Sequence, residues 1–301
     1  MSGLIINNNL MAMNAARNLR TTFGNLAVST RRLSSGLRVG TAADDAAGLA
    51  VRELLRADIA SLNQGVRNAN DAISMIQTAD GALQVIDEKL IRMKELAEQA
   101  ATGTYSSDQR VIIDKEYQAM ASEITRIATA TDFNGVKLLD GSLTGDHVGN
   151  TMDPEGALKV HFGTGNDSDE DYYEIEIEGA TASILQVGIG SAPAGAQRAG
   201  QSISTQEMAQ KALTQLNKAI TDKDEIRANL GALQNRLQNT ITNLEIQSEN
   251  LSAAESQISD VDVSAEMTEF VRNQILSQAA TAMLSQANAI PRLALQLLSG
   301  V

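Results

Sequence analysis

The side chains best suited to chemistry lie near the middle of the chain. His147 and His161 are the two histidines of the sequence. Neither has a histidine or cysteine close by with which to bind a metal ion or share a proton, so both are interpreted as surface residues. The glycine-containing run at 163–165 resembles half of a phosphate-binding loop, but the acids that follow it would repel phosphate.

The acidic loop has one alternative interpretation, which is calcium binding. Its carboxylates could supply the oxygen ligands that calcium prefers, but their spacing is not that of an EF-hand, and we interpret the loop as solvated. The acids concerned are Asp167, Asp169, Glu170 and Asp171. The absence of cysteine excludes disulfides and thiolate nucleophiles, and no nucleophile–base pair is apparent. The sequence thus predicts no catalytic, metal-binding or cofactor-binding residues and a protein that is not an enzyme.

The elements that would position any of these side chains are predicted to be long helices. Aromatic residues make up 3% of the 301 residues and tryptophan is absent, so smaller aliphatic side chains and methionine must fill the core. There are three prolines, at 154, 193 and 291, and long tracts without proline permit uninterrupted helices. Thin helical layers suit this composition better than a thick globular core.

The charge of the chain is acidic and unevenly distributed. The net charge is −13, which disfavours nucleic acid and anionic membranes as partners. Residues 1–60 carry seven basic residues against four acidic ones, whereas residues 141–200 carry two against ten, so the middle is expected to face solvent. We expect no membrane insertion, because no tract approaches the roughly 20 apolar residues of a membrane span. No classical signal peptide is apparent at the N-terminus.

Mainly apolar residues recur at alternating steps of three and four along three tracts, which is the spacing of a coiled-coil seam. The second tract breaks the alternation once, with two successive steps of three from Ile73 to Ala79, which is called a stammer. The first tract comprises Ala12, Ala16, Leu19, Phe23, Leu26, Thr30, Leu33 and Leu37. The second comprises Leu55, Ile59, Leu62, Val66, Ala69, Ile73, Ile76, Ala79, Leu83, Ile86, Leu90, Met93, Ala97 and Ala100. The third comprises Ile226, Leu230, Leu233, Leu237, Thr240, Leu244, Gln247, Leu251, Ala254, Ile258 and Val261.

Short breaks separate these helices. Gly36 and Gly40 weaken the first one, and Thr41 is the predicted N-cap of the second, with Asp44 as its capping-box acid. A further helix is predicted from about 109 to 130, and the last from about 265 to 298. Between the helical halves, residues alternate between apolar and polar, which predicts three short strands. The predicted strands span about 158–162, 173–177 and 185–189. Nearer the third helix, Asn134-Gly135 predicts a hairpin turn.

These elements predict a mainly α fold, a long antiparallel helical rod with coiled-coil-like terminal helices and a small β-rich central insertion. Three domains follow from the layout. Residues 1–43 plus 263–301 form the terminal-helix domain, residues 44–140 plus 200–262 form the long-helix domain, and residues 141–199 form the insertion.

The terminal helices have more apolar surface than one pairing can bury. Helices of this kind that enter no membrane are expected to pack against other copies of the chain, and ordering them alone costs about 1–2 kcal/mol per residue in backbone entropy. The sequence therefore predicts a self-assembling structural protein. The residues assigned to contacts between subunits are Leu19, Phe23, Leu26, Leu33, Leu37, Ile275, Leu276, Met283, Leu284, Leu293 and Leu297.

Both ends of the chain resemble bacterial flagellin. The N-terminal motifs are LSSGLR at 33–38 and AADDAAGLA at 42–50. The C-terminal motifs are LGALQNRL at 230–237, ENLSAAES at 249–256, ISDVD at 258–262, QIL at 274–276 and MLSQAN at 283–288. The resemblance covers about residues 1–140 and 200–301 and does not extend to the middle.

This resemblance implies a secreted, extracellular subunit of the flagellar filament that serves motility and leaves the cell through the flagellar type III apparatus. It implies an inner tube made by the terminal helices, an outer tube made by the long helices, and a central insertion that projects outward. The implied partners are further copies of the chain, an export chaperone at the C-terminal helices, and the cap and hook-junction proteins.

The resemblance also implies recognition by Toll-like receptor 5 through positions matching Arg92, Leu96 and Glu116. From the residues alone, each has an ordinary interpretation as a helix-surface or seam-edge side chain. Two alternatives to a filament subunit are a hook–filament junction protein of the same superfamily and a helical-rod adhesin unrelated to flagella.

Overall fold

The structure of the protein, a computed structural model, describes residues 9–145, 156–167, 170–188 and 201–299. Within these ranges it is mainly α-helical, as predicted, with two small antiparallel sheets. The helices are α1 (Leu10–Ser35), α2 (Ala46–Ala101), α3 (Ser107–Ala130), α4 (Gln206–Ser259) and α5 (Val263–Ser299). The strands are β1 (Asp132–Phe133), β2 (Val136–Lys137), β3 (Leu158–His161) and β4 (Tyr172–Ile175). None of the helices in this part of the chain is long and apolar enough to cross a membrane.

Side-chain caps fix where the helices begin. The Asn9 side chain accepts a hydrogen bond from the Ala12 amide at 3.0 Å at the start of α1. At α3, Ser106 and Gln109 form a reciprocal capping box.

The prediction that Thr41 is the N-cap of α2 was wrong. The Gly48 amide donates to the Asp45 carboxylate at 2.9 Å, so Asp45 occupies the capping position. Asp44 instead accepts hydrogen bonds from the Thr41 amide and hydroxyl in the preceding turn. Two adjacent aspartates compete for the cap, and the one nearer the first helical residue takes it.

The β-structure is smaller than predicted. The Asn134-Gly135 turn joins β1 to β2, with both residues at positive φ (52° and 88°), which is the geometry that Asn-Gly favours. Strand β3 pairs with β4 from Leu158 opposite Ile175 to His161 opposite Tyr172. The third predicted strand was wrong for residues 185–188, because Gln186 and Gly188 adopt positive φ and the Leu185 and Val187 amides bond back to Thr181 and Ala182. Ile189 lies outside the described residues.

The chain divides into two compact units, residues 1–59 with 249–301 and residues 60–248. We call the first the terminal unit and the second the central unit. The division into three domains drawn from sequence remains a prediction.

The central unit has an extended apolar core shared by α2, α3 and α4. Of the predicted α2 seam residues within this unit, all but the half-buried Val66 are buried, including those on both sides of the stammer. The buried α2 seam comprises Leu62, Ala69, Ile73, Ile76, Ala79, Leu83, Ile86, Leu90, Met93, Ala97 and Ala100. The spacing of three and four therefore predicted the buried face of α2 correctly.

One buried charge lies beside this core. The ammonium of Lys223 lies 2.6 Å from a carboxylate oxygen of Asp87 and 2.6 Å from one of Asp224. Its neighbour Arg227 bonds to Asp80 at 2.6 Å. Because a buried charge is costly without a partner, these pairs favour one alignment of α4 against α2.

A pair of adjacent residues in α2 tests this core. Leu90 is fully buried, whereas Ile91 is 48% exposed. Leu90→Ala should lower the free energy of unfolding by about 2–5 kcal/mol because it leaves a cavity, whereas Ile91→Ala should cost well under half as much. Urea denaturation followed by circular dichroism measures both. Equal losses for the two variants would contradict the assignment of the buried face.

Candidate assembly interface

The terminal unit is built on an antiparallel pairing of α1 with α5. The Asn9 side chain donates to the Ala287 carbonyl at 2.8 Å. At the other end of the pair, an Arg32 guanidinium nitrogen lies 3.6 Å from a Glu266 carboxylate oxygen. Two segments at opposite ends of the sequence are thus brought side by side.

The inner face of this pair is rich in small and polar residues. Its most enclosed members are Ser29, Asn273, Ser277 and Ala287. The buried and half-buried row on α1 comprises Ala12, Ala15, Leu19, Thr22, Leu26, Ser29 and Leu33. The facing row on α5 comprises Glu266, Phe270, Asn273, Ser277, Ala280, Leu284 and Ala287. Small side chains let two helices approach closely, but they bury little apolar area.

Large apolar side chains of the same two helices face away from the pair. Phe23 is 51% exposed and Ile275 is 61% exposed. We call this set the outer faces of α1 and α5. They comprise Leu10, Met11, Met13 and Phe23 on α1, and Val263, Met267, Val271, Ile275, Leu276, Met283 and Ile290 on α5. An apolar surface of this extent on a single chain indicates an interaction site.

The predicted assembly residues fall into two groups. Phe23, Ile275, Leu276 and Met283 lie on the outer faces. The remaining described residues are half-buried. Leu19, Leu26, Leu33 and Leu284 lie on the inner rows, whereas Leu37 follows the end of α1. The side chains of Leu293 and Leu297 lie outside those that the structure describes.

The row on α1 that packs against α5 is rotated by one residue from the predicted stripe. Both rows share Leu19, Leu26 and Leu33, but the structure places Thr22 and Ser29 inward rather than Phe23 and Thr30. The leucines recur every seven residues and fit either row, so their spacing could not choose between them. Met11, Met13 and Met267 were not among the predicted assembly residues, because only their apolar character marked them in the sequence.

The breaks between the helices of the terminal unit cap one another. The carbonyl of Ser259, the last residue of α4, accepts from the amides of Arg38 at 2.6 Å and Val39 at 3.4 Å. In return, the carbonyl of Gly36 after α1 accepts from the Val261 amide at 3.0 Å. Helix ends leave carbonyls without partners, and here each break supplies donors to the other.

Arginines reinforce the same region. The Arg38 guanidinium donates to the Ile258 carbonyl, and that of the buried Arg52 donates to the Val39 carbonyl at 2.7 Å.

Asp44 pairs with Arg31 at 2.9 Å. The Thr41 hydroxyl bond is the largest cause that lowers the pKa of Asp44, and Arg31 adds to it. Because its pKa is lowered on folding, Asp44 supports this region above its unfolded pKa and loses that effect as the pH falls through the lowered value.

The residues predicted to contact a receptor lie on α2 and α3 of the central unit. Arg92 donates to Glu116 at 2.9 Å and 3.1 Å and to Glu95 at 2.8 Å. Hydrogen bonds to Glu95 and Glu116 raise the pKa of Arg92. Both members of the Arg92–Glu116 pair are exposed, whereas Leu96 is 2% exposed.

The acidic loop is organised by backbone contacts. The Asp171 carboxylate accepts from the amides of Asp167 at 2.8 Å and Gly165 at 3.1 Å, and these bonds lower its pKa. His161 stacks near Tyr172, with ring centroids 6.1 Å apart. Among the described residues, no cluster of three groups that could hold a metal ion is present. His147 and Asp169 lie outside them.

Comparison with known proteins assigns this architecture to a family. Residues 6–144 match the bacterial flagellin N-terminal helical region, and residues 206–298 match the bacterial flagellin C-terminal helical region. A flagellin of Halalkalibacterium halodurans is 41% identical over 98% of this chain and 100% of its own length. The flagellar filament 33 kDa core protein of Treponema phagedenis is 39% identical over the same shares.

Among solved structures, the crystal structure of Bacillus cereus flagellin is 30% identical, with a TM-score of 0.46 over 63% of this chain and 94% of that chain. The matches define a flagellar structural protein rather than an enzyme. The chain belongs to the bacterial flagellin family.

Two glycines of the terminal unit test the break after α1. Gly36 has φ = 73° and ends α1, whereas Gly24 lies inside the helix, and an added Cβ meets nothing within 4 Å at either position. Gly36→Ala should destabilise the break by about 1–2 kcal/mol because an L-residue resists the left-handed conformation. Gly24→Ala should stabilise α1 by up to about 1 kcal/mol.

Thermal melting of assembled filaments should therefore shift down for the first variant and up for the second. A rise in the melting temperature with Gly36→Ala would contradict the left-handed end of α1.

Proposed function

We propose that the outer faces of α1 and α5 are the surfaces through which copies of this flagellin assemble. As a member of its family, the chain is a structural subunit that polymerises into the bacterial flagellar filament, an extracellular structure that serves motility. The comparisons favour this role over a hook–filament junction protein or an adhesin. The observation that supports our proposal is the orientation of the pair, in which the most enclosed residues are small or polar while many large apolar residues remain exposed on the outer faces.

The energetics support a role for neighbouring copies. Burying the exposed half of a side chain such as Phe23, Ile275, Leu276 or Met283 contributes about 1–2 kcal/mol. Ordering the backbone of a helical residue costs a similar amount, and the small inner-face residues recover little of it. Contacts with other copies would supply the missing apolar burial, so ordering of the terminal unit and polymerisation would occur together.

The three-domain arrangement is part of this proposal. Residues 1–43 plus 263–301 would line the inner tube of the filament, and residues 44–140 plus 200–262 would form the outer tube. The insertion at 141–199 would lie outermost. Its excess of acidic residues suits a solvated surface, since like charges there repel one another less in water than in a packed interior.

We further propose how the chain reaches the filament. It would be secreted through the flagellar type III apparatus, with an export chaperone covering the C-terminal helices until assembly. The apolar outer face of α5 supports this, because a monomer with such a surface needs a cover to avoid premature aggregation. The filament cap and the hook-junction proteins would contact the chain at the two ends of the growing polymer.

Substitutions on the outer faces test the assembly proposal. The double variant Phe23→Gln with Ile275→Gln should raise the critical concentration for polymerisation by at least about a hundredfold, because two apolar contacts worth about 1–2 kcal/mol each are lost along with the burial of new polar groups. Seeded polymerisation followed by sedimentation and electron microscopy measures this value.

The matched control is Thr21→Gln, an exposed polar position of α1, which should leave the critical concentration unchanged. The circular dichroism of the monomer and the melting of its central unit should match the parent in all variants. Normal polymerisation of the double variant would remove the outer faces from the assembly interface.

We also propose that the exposed Arg92–Glu116 pair contributes to recognition by Toll-like receptor 5. A receptor could bind the two opposite charges together, since they lie within 3 Å of each other on adjacent helices. Leu96, one turn after Arg92, is buried and would contribute mainly by supporting α2 beneath the pair.

Charge-removing variants test this recognition. Arg92→Ala and Glu116→Ala should each reduce signalling by about tenfold in a reporter-cell assay with purified monomer, as expected for a lost charge-assisted contact. The control is Arg126→Ala, which removes the exposed Arg126–Glu123 pair of α3 and should leave signalling unchanged. Full signalling by both test variants would remove the pair from the receptor contact.

A further inference from the structure

The methionines that the structure describes differ in exposure between the two units. Those of the terminal unit that the structure describes all lie on the outer faces: Met11, Met13, Met267 and Met283, with 44–61% of each exposed. Those described in the central unit are buried or half-buried: Met75, Met93, Met120 and Met208. Met75 and Met93 are 3% and 0% exposed.

We propose that Met11, Met13, Met267 and Met283 are sites of reversible oxidation that control whether a subunit can assemble. The inference rests on the proposed assembly role of the outer faces. The oxidant is a peroxide, and it reacts with the unassembled monomer, in which these thioethers face solvent.

The chemistry needs no group from the protein beyond the sulfur. The methionine Sδ attacks one oxygen of hydrogen peroxide, the O–O bond breaks, an S–O bond forms, and water leaves after proton transfer. Each event oxidises one thioether to a sulfoxide by two electrons and reduces one peroxide. A methionine sulfoxide reductase, using a thiol as reductant, reverses it.

Composition and exposure together make these four the most accessible oxidisable side chains among the described methionines. The chain has no cysteine and no tryptophan, so thioethers are its main oxidisable side chains, and susceptibility among them follows exposure. The two fully enclosed methionines of the central unit are shielded by the core. Oxidation therefore alters the outer faces before it reaches the buried Met75 and Met93 of the central unit.

The effect on assembly follows from the polarity of the product. Methionine is a flexible apolar side chain that adapts well to an interface, whereas its sulfoxide is polar. Burying one unpaired polar group lowers an association constant by about tenfold or more. Four sulfoxides on one subunit should therefore exclude it from the filament, whereas a subunit already incorporated has these sulfurs covered by its neighbours.

The test compares monomer and filament treated with the same hydrogen peroxide concentration. In the monomer, peptide mass spectrometry should find oxidation at the four outer-face methionines before Met75 and Met93, and the critical concentration should rise by at least about tenfold. Treatment with methionine sulfoxide reductase should restore it. In the filament, the same four residues should stay reduced. Oxidised monomer that polymerises normally, or equal oxidation in monomer and filament, would overturn the proposal.

A methionine-free interface provides the matched variant. The quadruple variant M11L, M13L, M267L and M283L should polymerise after peroxide treatment as it does before, whereas the control M75L with M93L should stay sensitive. Peroxide sensitivity of the quadruple variant would overturn the proposal. Normal assembly of the double variant Phe23→Gln with Ile275→Gln, without peroxide, would instead contradict the assembly role of the outer faces. The failure of the oxidation proposal and the failure of the assembly proposal are therefore distinguishable. If the quadruple variant does not fold, the reductase rescue of the parent still decides the outcome.

Discussion

The pairing of α1 with α5 encloses small and polar side chains most completely and leaves many large apolar side chains exposed, and this choice of face governs the terminal unit. Ser29, Asn273 and Ser277 are enclosed between the helices, while Phe23 and Ile275 remain half or more exposed. Hydrophobic stabilisation scales with the apolar area removed from water, so the apolar area left exposed on the outer faces does not stabilise the single chain.

The reciprocal capping of the two helix breaks makes the ends of the chain depend on each other. Gly36 and Ser259 are far apart in sequence, yet each offers a carbonyl to an amide of the other segment. Long-range contacts of this kind form only after the entropy of closing a long loop has been overcome. Both ends of the chain must therefore be close together before the hydrogen bonds between the two breaks can form.

The central unit, in contrast, buries its large apolar side chains within the single chain. Leu83, Ile86 and Leu90 are fully buried within one chain, and Lys223 has its carboxylate partners in the same unit. This unit has the core of an ordinary folded domain. The two units thus differ in where their large apolar side chains lie, buried within the central unit and in large part exposed on the outer faces of the terminal unit.

The sequence determined the number, order and approximate limits of the helices, because apolar spacing, glycine and proline positions and capping residues act locally. It also determined the α2 seam, where the steps of three and four admitted a single face, and the Asn134-Gly135 turn, whose residues tolerate positive φ. Composition sufficed to exclude cysteine chemistry. The paired motifs at 33–50 and 230–262 sufficed to indicate the family.

Only the tertiary structure decided which side of α1 meets α5. Leu19, Leu26 and Leu33 belong to both possible rows, and the choice between Thr22 and Phe23 depends on the partner helix, which is distant in sequence. The cap of α2 at Asp45 and the turn at 185–188 were decided more locally, by hydrogen bonds within a few residues. Which of these bonds forms depends on the backbone conformation, and the residue types alone leave that conformation open.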